Sequence, residues 1–397
     1  MLEWIAVPAI IISAALIPKR KLSDDKKIQI VFENLKVGIE KGEDILHPKL
    51  FKKVTNEAYT TFIFSLPLGL PSESFENIKS ALEDGLNKEI EFEFDGMLKI
   101  KVFKKSLPQK WTFDNDLLTS GWQVPIGKNH EGIMYHDFDK YPHMLVGGVT
   151  RFGKTVFIKE SFYSLLMNQA DQVEFYILDL KGGMEFGMYQ DLPQVKRVAA
   201  DLLESAQVLH EIVTDIKDKQ KFMRSNRYTN IIDTPIKKRK FVIVDEGAEL
   251  SPAIVEGKEV KQYAKFCQAA LSEIARIGGA LGYRLIFCTQ YPTKEAVPMQ
   301  VKMNIVARLS FIAASQISSR VILDDVGAED LPSIPGRAIY KIEKNRTVQV
   351  PYISDEFIIK NMEGNKDVIF NTEQNRGVTD NDRQVGNGKD KTSTSNT

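Results

Sequence analysis

One octapeptide constrains this chain more than any other. Gly148-Val-Thr-Arg-Phe-Gly153-Lys154-Thr155 satisfies G-x-x-x-x-G-K-[ST], and the apolar Met144 to Val146 lead into it. After it, Val156, Ile158 and Phe162 begin a helical face. A strand, a glycine turn and a helix in that order form a loop whose backbone N–H groups converge on phosphate oxygens, with the helix N-terminus adding partial positive charge. In such a loop Gly148 and Gly153 give the backbone its freedom, Lys154 reaches the outer phosphates and Thr155 ligates Mg²⁺. The expected ligands are therefore ATP and Mg²⁺.

A second segment supports the first. Lys240-Phe-Val-Ile-Val-Asp245-Glu246 has four consecutive apolar residues ending in two acids. Buried parallel strands read this way, and ligands of such sheets bind at the strands' carboxyl ends. Asp245 is expected to hold the metal through water, and Glu246 to orient and deprotonate an attacking water. A glutamate beside the strand-end aspartate favours water over a kinase-type acceptor. Two further strand ends follow the same pattern. Val173 to Asp179 runs into Leu180-Lys181-Gly182-Gly183, and Arg284 to Thr289 runs into Gln290. Gln290 is a candidate sensor of the terminal phosphate. Asp179 and Lys181 can serve the site or pair with each other.

Alternation of strand and helix from about residue 121 predicts an α/β fold with a mostly parallel sheet covered by helices. Before it, residues 23–112 read as a small α/β module. Its expected strands are 28–32, 60–67, 89–94 and 98–103, with a helix from Ser74 to Leu86 that Ser74 caps. The boundaries expected are an apolar segment at 1–22, the small domain at 23–112, the larger α/β nucleotide-binding domain at 113–370 and a disordered polar tail at 371–397. Trp4 to Ile17 carries no charge and is followed by Lys19, Arg20 and Lys21. This length is marginal for spanning a bilayer, so a membrane anchor and an interfacial or internally buried helix both stand. With the cations following the apolar run, an anchored chain has its bulk at the cytoplasmic face of the cell membrane.

Charge and cysteine content limit the alternatives. The 53 basic and 53 acidic residues balance, so any attraction to a polyanion depends on local surfaces. Candidates are Lys237-Lys238-Arg239-Lys240 and the group Lys217, Lys219, Lys221, Arg224 and Arg227. Cys267 and Cys288 have no further cysteine to form a disulfide framework or a four-ligand zinc site, and the five histidines show no metal-ligand spacing. His210, beside the apolar stripe of a helix over 201–227, reads as a structural histidine.

Taken together, PHMLVGGVTRFGKT, DLKGGMEF, FVIVDEGAELS, EIARIGGALGYRLIFCTQYP and SSRVILDDVGAEDLPSIPGRAIY resemble, in order, the blocks of the FtsK/SpoIIIE family of DNA-translocating ATPases over roughly 120–345. The DLKGG and IGGALG wording is most similar to that of TcpA-type coupling proteins of Gram-positive conjugative elements. The resemblance implies RecA-like domains in a homo-hexameric ring that threads DNA, single- or double-stranded, with a relaxase and conjugation-channel proteins as partners. It also implies Lys154 and Thr155 at phosphates and metal, Asp245 and Glu246 at metal and water, and Gln290 as sensor. Where chromosome translocases place a trans-acting arginine, this chain has Gly279; Arg276 is the nearest substitute, with Arg308 and Arg320 as others. The winged-helix DNA reader of those translocases has no counterpart after about Tyr352. Viral genome packaging and type VII-like protein export use related motors and remain the alternative readings.

Overall fold

The computed structural model describes residues 22–290, 292–293, 296–366 and 369. The apolar run Trp4 to Ile17 and the polar tail after Phe370 lie outside the described residues. Among the described residues no helix is long and apolar enough to cross a membrane. The chain divides into two compact units, Met1–Ser106 and Leu107–Thr397.

In the first unit the strands β3 (Lys49–Thr55), β4 (Tyr59–Ser65), β5 (Ile90–Phe94) and β6 (Leu98–Phe103) form an antiparallel sheet in the order β3-β4-β6-β5. A short hairpin of β1 (Ile39–Lys41) and β2 (Asp44–Leu46) stands apart from it. Alternation sends Phe62, Phe64, Leu98, Ile100 and Val102 to one face, where they meet Phe75, Leu82 and Leu86. The strand expected at 28–32 is instead part of the helix Asp24–Asn34. Ile28 and Phe32, one helical turn apart, are its fully buried residues, and Asp24 and Asp25 in the first turn suit the helix dipole. A short, mostly apolar pentapeptide fits strand or helix equally; here the i, i+4 pair decides. Nor does Ser74 cap a helix: it lies within the 3₁₀ turn Ser72–Ile78, and the α-helix runs Lys79–Leu86.

The second unit is built on ten strands. β7 (Gln123–Lys128) and β8 (Ile133–Asp137) precede β9 (His143–Gly147), the strand that leads into the glycine loop. Then come β10 (Val173–Asp179), β11 (Val195–Ala199), β12 (Arg239–Asp245), β13 (Tyr283–Thr289), β14 (Ala307–Phe311), β15 (Arg337–Lys341) and β16 (Asn345–Gln349). The order is β11-β10-β12-β13-β9-β14-β15-β16-β7-β8. The first six are parallel, and antiparallel pairing carries the sheet on from β14 to β8. The expected parallel sheet is thus present with a four-strand antiparallel extension.

Helices cover both faces. Phe241 and Ile243 of β12 point into a core shared with the helix Lys154–Asn168, while Val242 and Val244 point to the helices Leu202–Ser225 and Lys258–Ile277. This two-sided burial is why Phe241 to Val244 of β12 are apolar without a break. Register then places the site, because Asp179 lies beside Asp245 and Thr289 beside Gly147, aligning the carboxyl ends of β10, β12, β13 and β9.

Candidate nucleotide site

The glycine loop between β9 and the helix Lys154–Asn168 is shaped by positive φ at three positions: Gly148 at 137°, Arg151 at 70° and Gly153 at 114°. At Gly148 a Cβ would come within 2.7 Å of the Phe311 Cβ, so only glycine fits there. Backbone bonds pin the loop from both sides, Val149 N–H to Ile312 O at 3.0 Å and Gly336 N–H to Phe152 O at 2.9 Å. Lys154 opens the helix, where unpaired backbone N–H groups face an incoming anion.

Beside this loop lies a cavity of about 870 Å³. Arg151, Lys154, Thr155, Lys181 and Gln290 line its polar end. Trp111, Ile334, Pro335, Val350 and Tyr352 form a more apolar wall. That wall joins distant parts of the unit, since Tyr352 N–H donates to Trp111 O at 2.7 Å and Phe113 N–H to Tyr352 O at 2.8 Å.

The two acids sit behind the lining residues. Asp245 is fully buried, and its two oxygens take one lysine each, Lys154 Nζ on Oδ1 at 3.0 Å and Lys181 Nζ on Oδ2 at 3.1 Å. Lys154 also lies 3.6 Å from Glu246 Oε2. Burial works against the Lys154 charge, but the Asp245 and Glu246 carboxylates and the bond to Asp245 outweigh it and hold its pKa above the usual lysine value. Glu246 has left-handed backbone, φ 75°, and Gly247 follows because a Cβ there would strike the Phe287 ring at 2.1 Å. The Glu246 carboxylate accepts from Thr289 Oγ1 at 3.0 Å and from the Gln290 backbone N–H at 3.0 and 3.1 Å. For Mg²⁺, Thr155 on the cavity wall and the Asp245 carboxylate behind it offer the hard oxygen donors this ion takes, beside a loop whose glycine backbone admits no side chain.

Asp179 and Lys181 do not pair. Asp179 Oδ2 accepts from the backbone N–H of Glu185 and of Phe186 at 2.8 and 2.9 Å, which folds the following loop back and leaves Lys181 to Asp245. Sequence reasoning had no signal for the lysine's partner across 64 residues, and it passed over Arg151 and the wall residues Trp111 and Tyr352.

Other expected residues fall elsewhere. Arg276 is exposed in the last turn of Lys258–Ile277. The turn after it approaches Pro142 and His143 at the start of β9, so Arg276 lies toward the amino ends of the strands, away from the carboxyl ends that carry the site. Arg308 is buried, ion-paired to Asp324 and donating to Ile322 O and Lys302 O, whereas Arg320 is exposed. Of the basic tetrad, Arg239 is buried on Asp139 and Lys240 bonds Asp215, so only Lys237 and Lys238 are exposed. Lys219 is likewise turned inward, and burial lowers its pKa to about 8. His210 is exposed, with its ring 6.2 Å from that of Phe266; the buried histidines are His136 and His143.

Residues 115–241 match the FtsK/SpoIIIE family model. The DNA translocase FtsK of Lactiplantibacillus plantarum is 31% identical over 253 residues, covering 58% of this chain and 30% of that protein. FtsK of Streptococcus pneumoniae is 29% identical over 254 residues, or 59% of this chain and 32% of that protein. The chain thus spans about a third of the length of these curated relatives. Among solved structures, the pCW3 conjugation coupling protein TcpA, in its monomer form with ATPγS, is similar at TM-score 0.62 and 23% identity, over 85% of this chain and 99% of that one. The cytoplasmic domain of the Thermomonospora curvata type VII secretion ATPase EccC is similar at TM-score 0.52 and 22% identity, over 66% of this chain and 32% of that one.

Proposed function

We propose that the chain, whose residues 115–241 match the FtsK/SpoIIIE family model, is an ATP-hydrolysing motor that moves DNA. In this reading it works as a homo-hexameric ring at the cytoplasmic face of the membrane, as the coupling protein of a conjugative transfer system. The observation that carries the hydrolytic part is the cluster behind the cavity. Lys154 is within ion-pair reach of both Asp245 and Glu246, and Glu246 is held on the end of β13 by Thr289 and Gln290.

Each group then has a role that follows from its position. Triphosphate entering the cavity draws Lys154 off Asp245, since phosphate oxygens carry more charge than one carboxylate. Thr155 and Asp245 are the residues to hold Mg²⁺, which when bound neutralises charge developing on the phosphates. Glu246, relieved of Lys154, accepts a proton from the attacking water, and its two anchors keep the carboxylate from rotating away. Trp111 and Tyr352 give the apolar wall an aromatic surface for a nucleobase.

The DNA and coupling parts draw on the curated DNA translocases and on the TcpA-type wording of DLKGG and IGGALG; the fold-level likeness to TcpA is compatible with them. The test is ATP hydrolysis by the full chain with no DNA, single-stranded DNA and double-stranded DNA. Hydrolysis stimulated by one form of DNA is expected. Hydrolysis indifferent to both would sink the translocase reading, and stimulation by a secreted-protein signal peptide instead would favour export.

A further inference from the structure

We infer that Lys181 is a positioning residue for the metal-binding carboxylate: it anchors Asp245 through Oδ2 while Lys154 changes partner from Oδ1 to the incoming phosphates. This inference rests on the nucleotide-site reading above and extends it to a residue outside the glycine loop and the acid pair.

Three observations converge. Asp245 is fully buried and shares its two oxygens between two ammonium groups, each within 3.1 Å. A buried carboxylate stripped of a partner is strongly unfavourable, so when Lys154 leaves, a second cation is needed to keep Asp245 charged and oriented. Lys181 is that cation. It approaches from the opposite oxygen, and its side chain is 27% exposed at the cavity wall.

The loop that carries Lys181 is itself built to aim it. Asp179, in register with Asp245 on the neighbouring strand, spends Oδ2 on the backbone N–H groups of Glu185 and Phe186, and its carbonyl accepts from Gly183 N–H at 3.0 Å. Gly182 and Gly183 both have positive φ, 77° and 72°, which lets the chain reverse immediately after the lysine. Glu185 then ties the far end of the turn to Lys159 of the helix Lys154–Asn168 at 2.9 Å. The turn is thus clamped at both ends, one to β10 and one to the helix that follows the glycine loop. Lys181 projects from between those clamps onto Asp245. A lysine that merely neutralised surface charge would not need such a mounting.

Partners that orient a metal-binding side chain alter metal affinity when removed, typically by tenfold or more. The experiment is binding of a fluorescent ATP analogue to the full chain, titrated with Mg²⁺ and repeated in EDTA, for wild type, Lys181→Met and Lys181→Arg. With Lys181→Met we expect the Mg²⁺ concentration at half-effect to rise about tenfold, with analogue binding in EDTA little changed. Lys181→Arg, which restores a cation, is expected to recover most of the loss. An unchanged or lowered Mg²⁺ requirement in Lys181→Met overturns the inference, as does an equal loss in Lys181→Met and Lys181→Arg. Loss of analogue binding in EDTA by Lys181→Met, with Mg²⁺ dependence unaltered, also overturns it by making Lys181 a phosphate ligand. If wild type binds no analogue with or without Mg²⁺, the nucleotide-site reading fails first and the role of Lys181 with it.

Discussion

The main-chain N–H of Gln290 donates to both carboxylate oxygens of Glu246, at 3.0 and 3.1 Å. A strand end therefore holds the acid in place, with Thr289 Oγ1 as a second point of attachment on Oε1. Glu246→Gln keeps the size but exchanges one acceptor oxygen for an NH₂ group that the Gln290 N–H cannot use. The variant is expected to bind nucleotide and to hydrolyse it at least about a hundredfold more slowly, the usual worth of a general base. Thr289→Val removes one bond to a charged acceptor and is expected to lower kcat by about tenfold, with KM little altered. Steady-state kinetics alongside analogue binding check both, and wild-type turnover in Glu246→Gln would refute the assignment.

At Gly148, alanine demands both a left-handed backbone and space that the Phe311 Cβ already occupies. Gly148→Ala is expected to distort the loop at a cost of about 1–3 kcal/mol and abolish nucleotide binding, while circular dichroism stays native. Gly132→Ala, in the turn between β7 and β8, is the control: it also has positive φ, 147°, but a Cβ there meets nothing within 4 Å. Its nucleotide affinity should fall far less.

Two buried histidines predict an acid-side loss of stability. Burial lowers His136 to about 4, and burial with the nearby Arg284 guanidinium lowers His143 to about 3. With folded-state values below the ordinary 6.5, the unfolded chain takes up these protons first. The stabilisation is complete above about pH 6.5 and is lost as pH falls toward 4 and then 3. For His136 the loss is bounded at about 3 kcal/mol. Melting temperature measured from pH 7 to pH 4 should drop, and less steeply in His136→Gln. Parallel curves for the two proteins would show that other groups control acid unfolding.

The three arginines separate by their surroundings. Arg308→Ala removes a buried guanidinium from Asp324 and two carbonyls, so its melting temperature is expected to fall by several degrees. Arg276→Ala and Arg320→Ala remove exposed side chains and should melt like wild type. If Arg276 completes a neighbouring subunit's site, Arg276→Ala binds ATP but hydrolyses it slowly, and mixing it with Lys154→Ala restores part of the activity. Absence of rescue with Arg276→Ala, but rescue with Arg320→Ala, would move that role to Arg320.

Trp111 on the apolar wall is a built-in reporter. Nucleotide entering beside it should change tryptophan emission, and Trp111→Phe should abolish that change while retaining binding. A change of equal size in Trp111→Phe would place the base elsewhere.

Much of the central sheet could be read in advance because β9, β12 and β13 are almost wholly buried and β10 largely so, leaving the apolar runs 144–146, 241–244, 285–288 and 175–178. The antiparallel strands β7, β8, β15 and β16 were not marked this way, since their mixed composition suits loops as well as strands. Ile28 to Phe32 misled for the reverse reason: four of its five residues are apolar, Gln29 being the exception, and only packing shows that Ile28 and Phe32 form the buried stripe. At the site, the motif residues announce themselves by spacing along the chain. The Lys181–Asp245 bond and the contacts between Trp111 and Tyr352 do not, because both are made by segments far apart in sequence.

That last pairing bears on how the protein is made. During synthesis the glycine loop, both acids and Gln290 leave the ribosome well before Val350 to Tyr352, so the nascent chain holds phosphate-binding groups while its cavity still lacks a wall. Closing the wall must await a strand edge near the end of the second unit and its bonding to residues 111–113. A ribosome-bound chain halted before Val350 is therefore an unfinished receptor, with its phosphate-binding groups in place and one wall of its cavity still to come.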